Sequence, residues 1–419
     1  MDKNLNKKFL ILSNQPFDFA LPTNKWHVST RLAKLGYDVI FVDPPLRFKG
    51  LKNKSLKDFL TIKNLFFKTK KISEKLTVYK PINIFNFKPF SSINTYFHSK
   101  KINDLLKKNK DLVVWVYHFD YPDLERFLTK LPKHKLIYDV VDEYTAFPEY
   151  ANRKTVNKGI VSLIQWFDDE LKIRLNQNHL QGVEWVLHRE KWLSDNADLV
   201  FCSAPGLVKK FKEWRKDVYY LPNACSYEKF DLAKEDVREP EDLKEIKHPR
   251  IGFTGAIDTY KNNLNLIEKC AKRYPDYNFI LIGPEKVADP DLDLSALKKL
   301  KNIHFLGSKP WSETPNYFNS FDAFFIPYNL NDYTVKGCFP VKYFESLAAG
   351  LPTVVTDLPA YDGFDPDHLV SKSDDKFIEN IKLAVENNTE LKRKRRKEMA
   401  KNNSWDDKVK KQLKLISKL

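Results

Sequence analysis

The stretch Gly337-Cys-Phe-Pro-Val-Lys-Tyr-Phe-Glu-Ser-Leu-Ala-Ala-Gly-Leu-Pro352 decides how the rest of the chain is read. Pro340 suits the first turn of a helix, where a missing N–H costs nothing, and Gly350-Leu-Pro352 marks the end of that helix. A helix start presents free backbone N–H groups and the positive end of the helix dipole, a combination that favours a diphosphate. Lys342 adds a cation at that end, where the dipole alone disfavours one, and an anion seated there removes the conflict. Glu345 follows at i+3 on the same face, placed to accept hydrogen bonds from two vicinal hydroxyls such as those of a ribose. An isolated P-x-K-x-x-E equally describes a solvated Lys and Glu forming a weak surface pair, so the surroundings must decide.

Outward from this helix, short apolar runs alternate with helical stretches. Strands are predicted at Arg250 to Phe253, Asn278 to Ile282, Ile303 to Leu306, Ala323 to Ile326 and Thr353 to Val355, with a helix over Asn263 to Lys272. An earlier series reads Phe9 to Ser13, a helix around Trp26 to Leu35, then Asp38 to Asp43, Leu76 to Tyr79, Leu112 to Tyr117, Leu136 to Val141, Leu199 to Ser203 and Val218 to Leu221. Such alternation means parallel α/β sheets. Between the two series, Phe230 to Pro249 is charged, holds two prolines and lacks apolar periodicity, as a linker would. The expected organisation is a Rossmann-like domain over 1–235, a second over 248–400 and a C-terminal helix over 401–419. In open α/β sheets ligands bind at the carboxyl ends of the strands, so two such domains facing one another place the active site in the cleft between them.

With 419 residues, 42% hydrophobic and 30% charged, the chain has the composition of a globular protein large enough for two cores. No apolar run approaches the roughly 18 residues of a membrane span, and residues 1–8 do not read as a signal peptide. The four cysteines, Cys202, Cys225, Cys270 and Cys338, have no zinc-site spacing. A formal charge of +16 points to an anionic partner without choosing one.

The segment around Pro340, Lys342 and Glu345 resembles the donor-binding helix of glycosyltransferase family four, where P-x-K-x-x-E-x-L-A-A-G-x-P recurs and the Glu contacts the nucleotide ribose. Other passages are similar in the same order: Asn196 to Ser203 with Leu221-Pro-Asn-Ala-Cys-Ser-Tyr-Glu-Lys-Phe230, Ile251-Gly-Phe-Thr-Gly-Ala256 with Lys261, Ile303-His-Phe-Leu-Gly307, and Tyr317 to Pro327. The likeness covers most of residues 196 to 360 and is much looser before that. It implies the two-domain GT-B fold, with the C-terminal helix crossing back to the first domain, and a bacterial cell-surface polysaccharide enzyme of the teichuronic acid biosynthesis type. The implied reaction moves a sugar from a nucleotide diphosphate to a saccharide or lipid-linked acceptor, with retention at the anomeric carbon. The implied donor-binding residues are Thr254, Gly255, Lys261, Gly283, Pro340, Val341, Lys342 and Glu345. Neither a metal nor a cofactor is expected, the nucleotide sugar being a substrate.

The sequence also departs from that pattern. Gly337 stands where a second, sugar-proximal Glu is common, the loop Asn14 to Pro22 lacks the usual glycines, and Ala256 and Ile257 occupy the place of a frequent Arg. Lys261 and Lys342 are thus the candidate diphosphate cations. In the first domain, His118 ends one strand, and Asp139, Asp142 and Glu143 end another. Asp142 and His118 are the candidate catalytic groups, although a strand-end Asp is also a common helix cap. Asp291-Leu-Asp293 and Asp365-Pro-Asp367 lie in turns, where Asp caps backbone groups, and are not read as a metal site.

Arg47 to Lys75 carries ten Lys or Arg interleaved with Leu, Ile and Phe. It fits either a helix or loop lying on anionic lipid, or an amphipathic helix packed on its own domain. Lys392 to Lys397 reads as a solvated helix face. The expected setting is cytoplasmic, peripheral on the inner face of the membrane, with no nucleic-acid partner. A nucleotide-sugar epimerase of the same architecture, or a nucleic-acid-binding protein, are the competing readings.

Overall fold

The computed structural model describes residues 7–19, 21–47, 67–83, 91–107, 111–147, 150, 182–233, 236–286 and 289–419. The chain divides into two compact units. One comprises Met1–Ser203, Leu207–Tyr220 and Leu413–Leu419, the other Ala204–Gly206 and Leu221–Gln412.

The first unit is built on a sheet of β1 (Lys8–Leu12), β2 (Asp38–Val42), β3 (Leu46–Arg47), β4 (Phe67–Lys71), β5 (Leu76–Asn83), β6 (Leu112–Val116), β7 (His134–Val140), β8 (Leu199–Cys202) and β9 (Val218–Tyr220). The spatial order is β3-β5-β2-β1-β6-β7-β8-β9, and β4 pairs antiparallel with β5. The segments KFLIL and LVVWV are continuous apolar runs because a parallel sheet is covered on both faces, and β6 is buried throughout. The helices α1 (Asn24–Lys34), α2 (Ser91–Leu106), α3 (Gly182–Asn196) and α4 (Pro205–Lys212) lie between strands in sequence. Because β1 pairs with β2 on one side and β6 on the other, the strand order reverses there, which opens a crevice at the carboxyl ends.

The second unit holds β10 (Arg250–Thr254), β11 (Asn278–Ile282), β12 (Ile303–Gly307), β13 (Ala323–Ile326), β14 (Thr353–Thr356) and β15 (Val370–Ser371) in the order β12-β11-β10-β13-β14-β15, all parallel. Its reversal falls between β10 and β13. The associated helices are α5 (Leu264–Arg273), α6 (Asp332–Gly337), α7 (Val341–Ala348), α8 (Asp374–Glu386), α9 (Glu390–Lys401) and α10 (Trp405–Ile416).

Three expectations change. Phe230 to Pro249 is no free linker, because it is folded onto the second unit. Phe230 packs edge-on against Phe318 at 5.1 Å, and the buried Arg250 guanidinium donates to the carbonyls of Ile246 and Leu243, each at 2.7 Å. The unit boundary accordingly falls at Leu221 rather than near residue 235. Asn223 holds the Phe339 carbonyl at 2.7 Å, tying the Leu221-Pro-Asn passage to the chain just ahead of α7.

The basic run of α9 is not wholly solvated. Arg396 is completely buried, pairs with Asp367, and donates to Gly350 O at 2.9 Å just past the end of α7, where a cation suits the helix dipole. Within Arg47 to Lys75, the described part is strand rather than helix: β4 is an edge strand whose Lys68, Lys70 and Lys71 are exposed. Residues 48–66, which carry most of that stretch, lie outside the described residues.

Candidate functional site

In the second unit the carboxyl ends of β10 and β11 meet the start of α7. Gly255 (φ +135°) donates its N–H to Ile282 O at 2.8 Å, and Gly283 (φ +148°) donates to Gly307 O at 2.9 Å. A Cβ on Gly283 would run into the Gly255 carbonyl, and a Cβ on Gly255 would occupy the place of the Lys342 ammonium. Backbone conformation requires glycine at both positions, and at Gly283 the close approach of the Gly255 carbonyl requires it as well. Thr254 ends β10 beside them. Pro340 is the N-cap of α7 (φ −68°) and offers no side-chain cap, so Val341 and Lys342 open the helix with their N–H groups unmatched by any cap side chain.

The Lys342 ammonium lies 4.2 Å from the centroid of the Phe253 ring. Burial, aided by the nearby Lys261 charge, lowers its pKa to about 7. Lys261 comes from a loop pinned by Asp258, whose carboxylate accepts the Lys261 N–H at 3.1 Å, and by Asn262, which holds the Ala256 carbonyl at 2.8 Å. Its ammonium sits 4.7 Å from the Tyr333 ring centroid. Among the described residues neither lysine has an ion pair. Two ammonium groups and a positive helix end converge, an arrangement suited to an anion such as a diphosphate.

Glu345 lies one turn along α7. As a residue it is partly exposed, but its carboxyl is enclosed enough that burial raises its pKa to about 7, against the lowering influence of Lys342, Lys229 and a hydrogen bond from the Trp311 indole. The structure thus brings Thr254, Gly255, Lys261, Gly283, Pro340, Val341, Lys342 and Glu345 within the one unit. It adds Trp311 and Lys229, which sequence reasoning missed.

In the first unit, a cleft of about 310 Å³ at the strand reversal is lined by Ser13, Asn14, Pro44, His118 and Tyr121, among others. His118 Nδ1 accepts the Asp120 N–H at 3.1 Å, leaving its proton on Nε2. Burial and the Lys25 charge push its pKa down to about 3, so it is a neutral hydrogen-bond donor at physiological pH. Lys25 is a further missed residue. Its ammonium donates to Asn14 Oδ1 at 2.8 Å, and burial lowers its pKa to about 8 against the pull of Asp142 and Asp139.

The three strand-end acids diverge in role. Asp139 is buried within the sheet and accepts from the Trp115 indole at 3.2 Å. The cap position expected for Asp142 belongs to Glu143, which accepts from the Thr145 N–H at 3.2 Å and binds Lys210 at 2.6 Å. Asp142 alone remains partly exposed. In the second unit, Asp293 accepts from Ser295 N–H and Asp365 from Leu369 N–H, both at 2.8 Å, while Asp367 pairs with Arg396, so these carboxylates serve local structure.

Residues 235–404 match the family described as Glycosyl transferases group 1. Over 224 residues, half of this chain, the sequence is 29% identical to TuaH of Bacillus subtilis (strain 168), a candidate teichuronic acid biosynthesis glycosyltransferase, and the match spans 54% of that relative's length. The chain is thus similar to about half of the curated relative. Among solved structures, sucrose-phosphate synthase from Thermosynechococcus elongatus is similar over 98% of both chains with a TM-score of 0.66 at 12% identity. HepE of Anabaena, in complex with UDP and glucose, is similar over 98% of this chain and 100% of its own, with a TM-score of 0.63 at 11% identity. A glycosyltransferase from Rickettsia africae ESF-5 covers 97% of each chain with a TM-score of 0.61 at 12% identity. At such identities the likeness is one of fold, and that fold is the GT-B type with two Rossmann-like domains.

Proposed function

We propose that the protein is a glycosyltransferase that takes a sugar from a nucleoside diphosphate donor bound by its second unit. The observation that carries this reading is the convergence of Lys261, Lys342 and the start of α7 beside the Gly255 and Gly283 turns. Charge develops on the departing nucleoside diphosphate, and donors fixed in advance around it lower the barrier. Glu345, one turn further, takes the ribose hydroxyls. The match of residues 235–404 to Glycosyl transferases group 1 supports the same assignment, and the complex of HepE with UDP makes UDP-sugars the first donors to try.

The finer features of the proposal are retention at the anomeric carbon, independence of divalent metal and cofactor, and a saccharide or lipid-linked acceptor in cell-surface polysaccharide synthesis. The acceptor side is assigned to the first unit, with His118 donating from Nε2 and Asp142 as the candidate beside it. A cytoplasmic enzyme held peripherally on anionic lipid fits the exposed lysines of β4, since each basic group near such a surface contributes about 1 kcal/mol. Among the described residues no helix is long and apolar enough to cross a membrane. Equal co-sedimentation with anionic vesicles after Lys68, Lys70 and Lys71 are changed to Gln would remove β4 from that role.

The deciding experiment is a thermal-shift screen of nucleotide sugars, because a ligand that binds only the folded protein raises its melting temperature. A rise with one class of nucleotide sugar and its nucleoside diphosphate is expected. No shift with any nucleotide would reject the assignment.

A further inference from the structure

A lysine, an indole and a carboxylate are stacked in series in the second unit. The Lys229 ammonium stands 3.4 Å from the centroid of the Trp311 ring. The Trp311 indole lies close enough to Glu345 to favour its ionised carboxylate, and the Lys229 charge also acts on Glu345 directly. The three come from separate places in the chain: the short helix Tyr227–Phe230, the loop that follows β12, and α7. Their frame is firm. Phe230 O accepts from Asn319 at 2.9 Å, and Lys309, close to Trp311 in sequence, pairs with Asp242 at 2.6 Å.

We propose that Trp311 and Lys229 are positioning residues that hold the Glu345 carboxylate in the rotamer needed to grip both hydroxyls of a ribose, and so set the preference for ribonucleotides over 2′-deoxyribonucleotides. This rests on the reading of Glu345 as the ribose-binding group. A carboxylate has two oxygens, and engaging two vicinal hydroxyls requires both to be presented in one plane at one orientation. A lone Glu on a helix surface samples several rotamers and would lose part of its binding energy in ordering them. The indole N–H supplies a fixed donor that removes that freedom before the ligand arrives. A cation over the ring draws electron density from it, which strengthens the N–H as a donor. Lys229 thus acts on the carboxylate directly and through the indole. Neither group need touch the nucleotide.

The test uses the full chain and calorimetric titration with whichever of UDP, GDP, ADP and CDP binds most tightly, alongside its 2′-deoxy counterpart. Trp311→Phe retains the ring but not the N–H. It is expected to weaken the ribonucleotide about tenfold while weakening the deoxy analogue much less, so that the ratio of the two affinities falls toward one. Lys229→Met keeps the apolar stem without the charge and should move the ratio in the same direction by a smaller factor. A structural defect would instead weaken both nucleotides alike, and that outcome overturns the proposal. If Glu345→Ala weakens binding while Trp311→Phe and Lys229→Met keep both the affinity and the ratio of wild type, the proposal fails and the ribose role of Glu345 stands. If wild type binds none of the four nucleotides, the donor-site reading fails and this inference falls with it.

Discussion

The Nζ of Lys342 occupies the space that a β-carbon on Gly255 would need. A glycine at the end of one strand and a lysine in the first turn of a helix far along the chain are therefore one structural feature. Gly255→Ala should displace the ammonium and strain a backbone at φ +135°. The backbone strain costs about 1 to 3 kcal/mol and should lower the melting temperature, while displacement of the ammonium should reduce nucleotide affinity about tenfold. Wild-type affinity in this variant would mean that Lys342 does not contact the ligand.

Glu345→Ala removes one charged hydrogen-bonding group from the site and should leave the fold intact. The expected loss is about 1.5 to 3 kcal/mol in binding of the donor and of the free nucleotide. Calorimetry that finds no change takes Glu345 out of the site.

The pH dependence of nucleotide binding follows from Lys342 and Glu345, whose pKa values both lie near 7. A bound diphosphate favours protonated Lys342, so affinity should fall as pH rises through 7. Ribose hydroxyls favour ionised Glu345, so affinity should also fall as pH drops below 7. Together they predict an optimum close to neutrality. In Glu345→Gln only the Lys342 limb remains, and affinity should decrease steadily from pH 6 to 9. A flat profile in that variant would show that Lys342 keeps its proton throughout.

Chelation with EDTA should leave turnover unchanged, since Lys261, Lys342 and the start of α7 supply the positive charge that a divalent ion supplies in metal-dependent transferases. Activity lost on chelation and restored by manganese would place a metal in the reaction.

Away from the donor site, Lys210 lies 2.6 Å from Glu143 and 2.8 Å from the fully buried Glu190. Lys210→Met would strand two enclosed carboxylates, at a cost of about 3 to 5 kcal/mol in unfolding free energy. Burial raises the Glu190 pKa from 4.5 to about 7, against the pull of Lys210. The folded state consequently binds the extra proton, and this group's contribution to stability is present in acid and lost as pH rises from about 4.5 through 7. Denaturant titrations should show Glu190→Gln flattening that decline, and an unaltered pH profile would argue against the shift.

Much of the donor side was legible because it rests on a local contradiction. Lys342 is a cation at a helix start, where the dipole opposes it, and the flanking Pro340 and Gly350 mark the helix within a single stretch of sequence. The same contradiction is present at Lys25, the second residue of α1, which is likewise bracketed by Pro22 and Gly36, but no family-like motif follows it to give the cation a role. Trp311 and Lys229 carried no such signal. A tryptophan after a strand and a lysine in a polar passage acquire meaning only when the fold sets one on the other. Phe230 to Pro249 was misread for a related reason: its charge and prolines look like a linker, while the partners that anchor it, Phe318 and Arg250, lie outside it.

The sequence by itself determined the alternation of strand and helix, the two mainly parallel sheets and the helix that opens with Pro340. These follow from backbone propensities and apolar periodicity, which act over a few residues. Only the tertiary structure decided which glycines must yield space to Lys342, which carboxylates are committed to Lys210 and Arg396, and which groups push Lys342 and Glu345 toward neutral pKa values. Those outcomes depend on burial and on charges a few ångströms apart in space, and such proximity is created by packing between segments that are distant in the chain.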